Sequence, residues 1–125
     1  MARVAYCMLR EGQWEGRQVI PRWFVEQTGA PTHSVAMPEM RFQRNAQSFT
    51  LGWELPALLE GEAARGMPGD ARYKPGSGGQ LMAFVPSLDL VVVRHTGSSG
   101  QWAYEEYLRR ACAAVAGETP LPSRK

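Results

Sequence analysis

The sequence predicts an α+β fold in which an antiparallel sheet is flanked by helices. Apolar residues recur at helical spacing near both ends of the chain, and β-prone segments lie between residues 49 and 95. Turns rich in glycine and proline separate these segments. The 125 residues suit one domain, which can bury a core without a disulfide or a metal. We assign residues 1–117 to that domain and residues 118–125 to a loose tail.

The first two predicted elements are helices. Residues 1–11 carry apolar side chains at helical spacing, and the segment VIPRWFVEQTG predicts a second, short helix. Pro21 suits the first turn of that helix, and Gly29 suits its end. A long polar connection, residues 30–48, follows. Connections of this length inside a compact domain are usually functional.

The middle of the chain predicts strands. The segment FTLGWEL, residues 49–55, alternates apolar and other residues, which predicts one strand that ends at Pro56. A glycine-rich loop around residues 74–79 then leads into QLMAFV and LDLVVVRH. These two segments predict paired strands, joined by a tight hairpin turn at Pro86 and Ser87.

The last predicted element is an amphipathic helix, for which Ser98 and Gln101 resemble a capping box. Charged residues four positions apart, such as Glu106 and Arg110, lie on its polar face. Its predicted apolar face consists of Tyr104, Tyr107, Leu108, Ala111, Cys112 and Val115.

Composition and charge exclude several classes of function. The net charge is +2 and the basic residues are scattered, so we expect no nucleic-acid partner. His33 and His95 are isolated in the sequence, and we expect neither a metal nor a cofactor. Cys7 and Cys112 predict buried free thiols. We find neither a membrane span nor a signal peptide, which leaves the compartment open between cytoplasm and periplasm.

The segment KPGSGGQ, residues 74–80, is the candidate functional motif. Lys74 is the only lysine besides Lys125 at the end of the chain. Nucleotide-binding glycine loops precede a helix, whereas these glycines precede a predicted strand, which argues against a phosphate site. Two interpretations remain. The glycines form a structural turn with positive φ values, or they let a ligand carbonyl approach a strand edge.

The same segment, with its surroundings, resembles a known family. KPGSGGQ followed by LMAFVPSLDLVVV is similar to the third motif of the serine β-lactamase and penicillin-binding-protein superfamily, in its class C β-lactamase-like and esterase-like branch. The helical segments before residue 29 and the segment FTLGWEL also resemble that branch. The resemblance covers about residues 2–116 and implies a partial β-lactamase/transpeptidase-like fold.

The resemblance implies a set of site residues. Lys74 matches the basic residue of the motif, and the backbone N–H of Ser77 would donate to an oxyanion. Pro75 replaces the usual threonine or serine, which favours esters or amides over β-lactams as substrates. His95, followed by threonine and glycine, repeats the motif pattern but precedes a predicted helix, so we interpret it as unrelated. The substrate-binding residues implied are Gly76, Gly78, Gly79 and Gln80.

The nucleophile of that family is missing from the sequence. The family needs a serine followed three residues later by a lysine, and no serine of this chain has that partner. A Tyr-x-Asn or Ser-Asp-Asn triplet is absent as well. The resemblance therefore implies the C-terminal portion of a serine hydrolase, inactive alone, with an ester, amide or β-lactam substrate if upstream sequence completes it. The alternative is a non-catalytic ligand- or partner-binding module, or a decayed remnant.

Overall fold

The computed structural model describes residues 1–29, 49–56, 66–76, 78–97 and 103–117. The α-helices in these ranges are α1 (Ala2–Leu9), α2 (Arg22–Gln27) and α3 (Tyr104–Ala116), and a 3-10 helix spans Pro86–Leu88. The strands are β1 (Gln13–Trp14), β2 (Arg17–Gln18), β3 (Phe49–Thr50), β4 (Trp53–Glu54), β5 (Arg72–Gly76), β6 (Gln80–Val85) and β7 (Leu90–Arg94). The predicted α+β class is confirmed.

The main sheet is an antiparallel meander. Its strand order is β3-β4-β5-β6-β7, and β1 and β2 form a separate small hairpin. Two long ladders make up the centre of the sheet: β5 pairs with β6 from Arg72 opposite Phe84 to Gly76 opposite Gln80, and β6 pairs with β7 along its length. Because each strand pairs with its neighbour in the chain, short turns are sufficient to connect β5, β6 and β7.

One face of the sheet packs against α3. Successive side chains of a strand point to opposite faces, so Leu81, Ala83 and Val85 of β6 all point to this face. They belong to a core cluster with Leu108 and Cys112 of α3. The other buried members of this cluster are Met67, Ala71, Tyr73 and Val92.

The opposite face packs against α1 and α2. Phe84 points to this side of β6 and forms a cluster with Met8, Val25 and Trp53. The rings of Trp53 and Phe84 meet edge to face, with centroids 5.1 Å apart. Helices therefore flank the sheet on both faces, as the sequence predicts.

The segment FTLGWEL does not form one continuous strand, and this prediction was wrong. The chain reverses at Leu51 and Gly52, which have φ values of 46° and 89°. Two consecutive positive φ values are characteristic of a two-residue type I′ hairpin turn, which here joins β3 to β4. Leu51 consequently projects into solvent rather than joining Trp53 in the core.

A second correction concerns the lysine-glycine segment. The sequence places Lys74, Pro75 and Gly76 in a loop before the first strand of a pair, whereas they form the end of β5 itself. The turn that follows joins β5 to β6. The glycine segment is therefore a hairpin between two paired strands.

The last helix agrees with the prediction only in part. Leu108 and Cys112 are buried, but Tyr107 and Val115 are exposed. The residue before the helix is Ala103, and no described side chain caps the helix N-terminus, while Ser98 and Gln101 of the predicted capping box lie outside the described residues. The connection 30–48 and the tail 118–125 lie outside the described residues. In the described ranges, the helices are all too short or too polar to cross a lipid bilayer.

Candidate functional site

Lys74 lies in the second half of β5, directly opposite Met82 of β6. Its neighbour Tyr73 points into the core, so Lys74 points to the opposite face and is exposed. Among the residues that the structure describes, no acceptor or carboxylate partners its ammonium group.

In the described ranges, β4 and β5 do not continue their pairing beside Lys74. β4 pairs with β5 at a single position, Glu54 opposite Tyr73. From Lys74 to Gly76 the β4 side of β5 has no strand partner in the described part of the chain. An unpaired edge presents backbone groups to which an extended ligand can bind.

The turn after this edge depends on glycine. Gly78 and Gly79 have φ values of 80° and 85°, a conformation that residues with a Cβ rarely adopt. At Gly76, an added Cβ would lie 3.0 Å from the Cβ of Gln80, its partner across the ladder. Ser77, predicted to donate its N–H to an oxyanion, lies outside the described residues.

Residues at the end of β7 and just after it hold the glycine turn in place. The Gln80 side-chain amide donates to the Thr96 carbonyl at 2.5 Å and accepts from the Thr96 N–H at 3.3 Å. The Thr96 hydroxyl donates to the carbonyl of Gly78 at 3.0 Å, and Arg94 donates to that of Gly79 at 3.2 Å. The side chain of Gln80 thus forms its hydrogen bonds within the chain, and these bonds stabilise the glycine turn.

Sequence reasoning missed Thr96 and Arg94. Thr96 belongs to the segment that was set aside as unrelated to the motif, although it contacts the motif directly. The signal was the hairpin register, because antiparallel pairing of Leu81 with Arg94 brings the residues after Arg94 alongside the residues before Leu81. Lys74, Gly76, Gly78, Gly79 and Gln80 do belong to one hairpin.

In the described part of the chain, this arrangement combines an exposed ammonium group, a stretch of β5 that β4 leaves unpaired, and two consecutive glycines, Gly78 and Gly79, in the turn. Ser87 lies at the opposite end of β6 from the glycine turn, where its hydroxyl donates to Asp70 at 2.7 Å. Within the described ranges, no group of three His, Cys, Asp or Glu side chains is placed to hold a metal ion.

Comparison of the chain with protein-family models, curated proteins and solved structures found no match in any of the three. The resemblance to the β-lactamase superfamily therefore rests on the sequence motifs, and it stays a prediction.

Proposed function

We propose that this chain carries the acyl-binding strand edge of a β-lactamase-type serine hydrolase, which acts on esters, amides or β-lactams. The observation that carries the proposal is the stretch from Lys74 to Gly76 that β4 leaves unpaired in the described part of the chain, bordered by an exposed lysine and an ordered glycine turn. These elements suit acyl transfer, since they would let a substrate carbonyl approach backbone donors closely.

In the proposed mechanism, the substrate lies along this strand edge with its carbonyl oxygen towards the glycine turn. A serine hydroxyl from polypeptide outside these 125 residues attacks the carbonyl carbon and gives its proton to a base beside it. The Ser77 N–H stabilises the oxyanion, and the Lys74 ammonium adds positive charge. The leaving group departs with a proton, and water then releases the acyl group from the serine.

The test compares this chain with a longer product extended in frame ahead of residue 1. We expect residues 1–125 alone to show no turnover of p-nitrophenyl esters or nitrocefin, and no labelling by a fluorophosphonate probe. We expect the extended product to turn over at least one of these substrates. Lys74→Ala in the extended product should lower kcat/KM by about 10²–10³-fold, the usual effect of removing an oxyanion-stabilising group.

Lys74→Arg is the matched control, because it keeps the charge at the same position. Activity that Lys74→Ala leaves unchanged would remove Lys74 from the mechanism. Labelling of the 125-residue chain by the probe would contradict the assignment of the nucleophile to other polypeptide.

The absence of any serine with lysine three residues later favours a second candidate, a non-catalytic binding module that uses the same edge. An extended product that binds an ester or β-lactam without turning it over would favour this second function over the first.

A further inference from the structure

A separate cleft lies where α1 and α2 meet the other end of the sheet. Its volume is about 490 Å³, which is within the range of small-molecule sites. Met8, Val25 and Phe84 lie at its base but are almost fully buried, and Leu9, Pro86, Arg72 and Glu26 also line it. Lys74 and the glycine turn are not part of this cleft.

Arg72 is a partly buried cation, and the nearby negative charge of Asp70 offsets its desolvation only in part. Its Nη1 donates to the Val25 carbonyl at 3.2 Å, and its guanidinium lies over the Phe84 ring at 5.3 Å. Its Nε is buried without an acceptor. No carboxylate of the described residues forms an ion pair with it, and burial lowers the pKa of Arg72. A buried charge of this kind needs an anionic partner to offset its desolvation.

The other charged groups around the cleft are already paired. Arg10 binds Asp89 at 2.9 Å. Arg22 lies 3.1 Å from carboxylate oxygens of both Glu11 and Glu26. Arg72 is thus the lining cation left for a ligand in this part of the chain. The two glutamates at the rim disfavour a ligand with more than one negative charge.

Gly29 permits this position of Arg72. A Cβ at residue 29 would lie 2.2 Å from Nη2 of Arg72, so the guanidinium packs directly against the backbone at the end of α2. The backbone thus fixes the cation against the Phe84 ring, beside the apolar wall of the cleft.

We propose that this cleft binds a small organic monocarboxylate, with the carboxylate against Arg72 and an apolar group against the more accessible Leu9 and Pro86. The proposal is independent of the hydrolase function, because none of the residues assigned to acyl transfer lines the cleft.

The test is a calorimetric titration of the full chain with benzoate, and in parallel with benzamide, its neutral isostere, and with inorganic phosphate. We expect saturable binding of benzoate, and binding at least tenfold weaker for benzamide and phosphate. Arg72→Gln should weaken benzoate binding about tenfold or more, as expected for the loss of a charge-assisted hydrogen bond. Arg17→Gln, on the exposed β2 strand, is the matched control and should bind as the wild type does.

A second variant keeps the proposal falsifiable if Arg72→Gln does not fold. Glu26→Gln removes a negative charge from the exposed rim and releases Arg22, so it should tighten benzoate binding about two- to threefold. Glu15→Gln, outside the cleft, should leave binding unchanged. Absence of saturable benzoate binding, equal binding of benzamide, or weaker binding by Glu26→Gln would overturn the proposal.

Discussion

The side chain of Gln80 and the backbone of Thr96 form a two-bond pair that continues the ladder between β6 and β7. The Gln80 amide both donates to and accepts from Thr96, at 2.5 Å and 3.3 Å. Since Thr96 also binds the Gly78 carbonyl, the two strands and the glycine turn are joined at one point. The geometry of the candidate site therefore depends on residues that do not themselves face a substrate.

Replacing Gln80 by alanine should lower the free energy of unfolding by about 1–3 kcal/mol, because it removes two partly buried hydrogen bonds. Urea denaturation of both proteins measures this difference. Gln27→Ala, on the exposed surface of α2, should change it by less than about 0.5 kcal/mol. Equal changes in the free energy of unfolding for the two substitutions would mean that the hydrogen bonds of Gln80 do not stabilise the fold.

Replacing Tyr104 by phenylalanine should lower the free energy of unfolding by about 1.5–3 kcal/mol. Its hydroxyl lies 3.3 Å from a carboxylate oxygen of Glu54, a buried residue of β4, and hydrogen bonds to charged groups contribute about this much. A double-mutant cycle with Glu54→Gln isolates the pair. A coupling energy near zero would mean that the contact between Tyr104 and Glu54 does not stabilise the packing of α3 against β4.

Stability should fall as pH rises from about 9 to 11, in part because of Cys112. Burial raises the pKa of the Cys112 thiol from 9.0 to about 11, so the folded chain keeps a proton that the unfolded chain loses. The contribution of Cys112 is fully present below the unfolded-state pKa and is lost as pH passes the folded-state value. Cys112→Ala should be less stable at pH 7 but should show a shallower decline above pH 9. Parallel declines measured by thermal melts would contradict this expectation.

Replacing Leu51 by asparagine should raise the free energy of unfolding by about 0.5–1 kcal/mol. Leu51 is 42% exposed and has φ 46°, a left-handed conformation that asparagine adopts more readily than leucine. Gly52→Ala should do the opposite, since its φ of 89° is unsuited to a residue with a Cβ. Chemical denaturation of the two variants measures both effects. A loss of stability with Leu51→Asn would mean that the leucine side chain makes stabilising contacts in the turn.

The sequence predicts most accurately those elements whose side-chain pattern is set by burial. The boundaries of β6 match the predicted segment QLMAFV, because its alternate side chains are buried on the two faces of the sheet. The last helix follows from its 3.6-residue period, and two of its predicted core residues, Leu108 and Cys112, are buried.

The predictions of secondary structure were wrong where a residue type is misleading about the local backbone conformation. Leucine is not a typical turn residue, so the reversal at Leu51 is invisible to pattern reasoning. Pro75 suggests a loop, yet it lies where β4 no longer pairs with β5, and strand edges tolerate proline. The hydrogen bonds of Thr96 with Gln80 and Gly78 join residues 16–18 positions apart in the chain. Only the strand register determines that these residues meet.

The meander has a consequence for the order of folding. Contacts within β5, β6 and β7 join residues close in the chain, and closing short loops costs little entropy. Helix α1, by contrast, packs on β6 and β7, and its ion pair from Arg10 to Asp89 spans 79 residues. The three-strand unit should therefore form early during refolding, and attachment of the N-terminal helix should be the slow, late event.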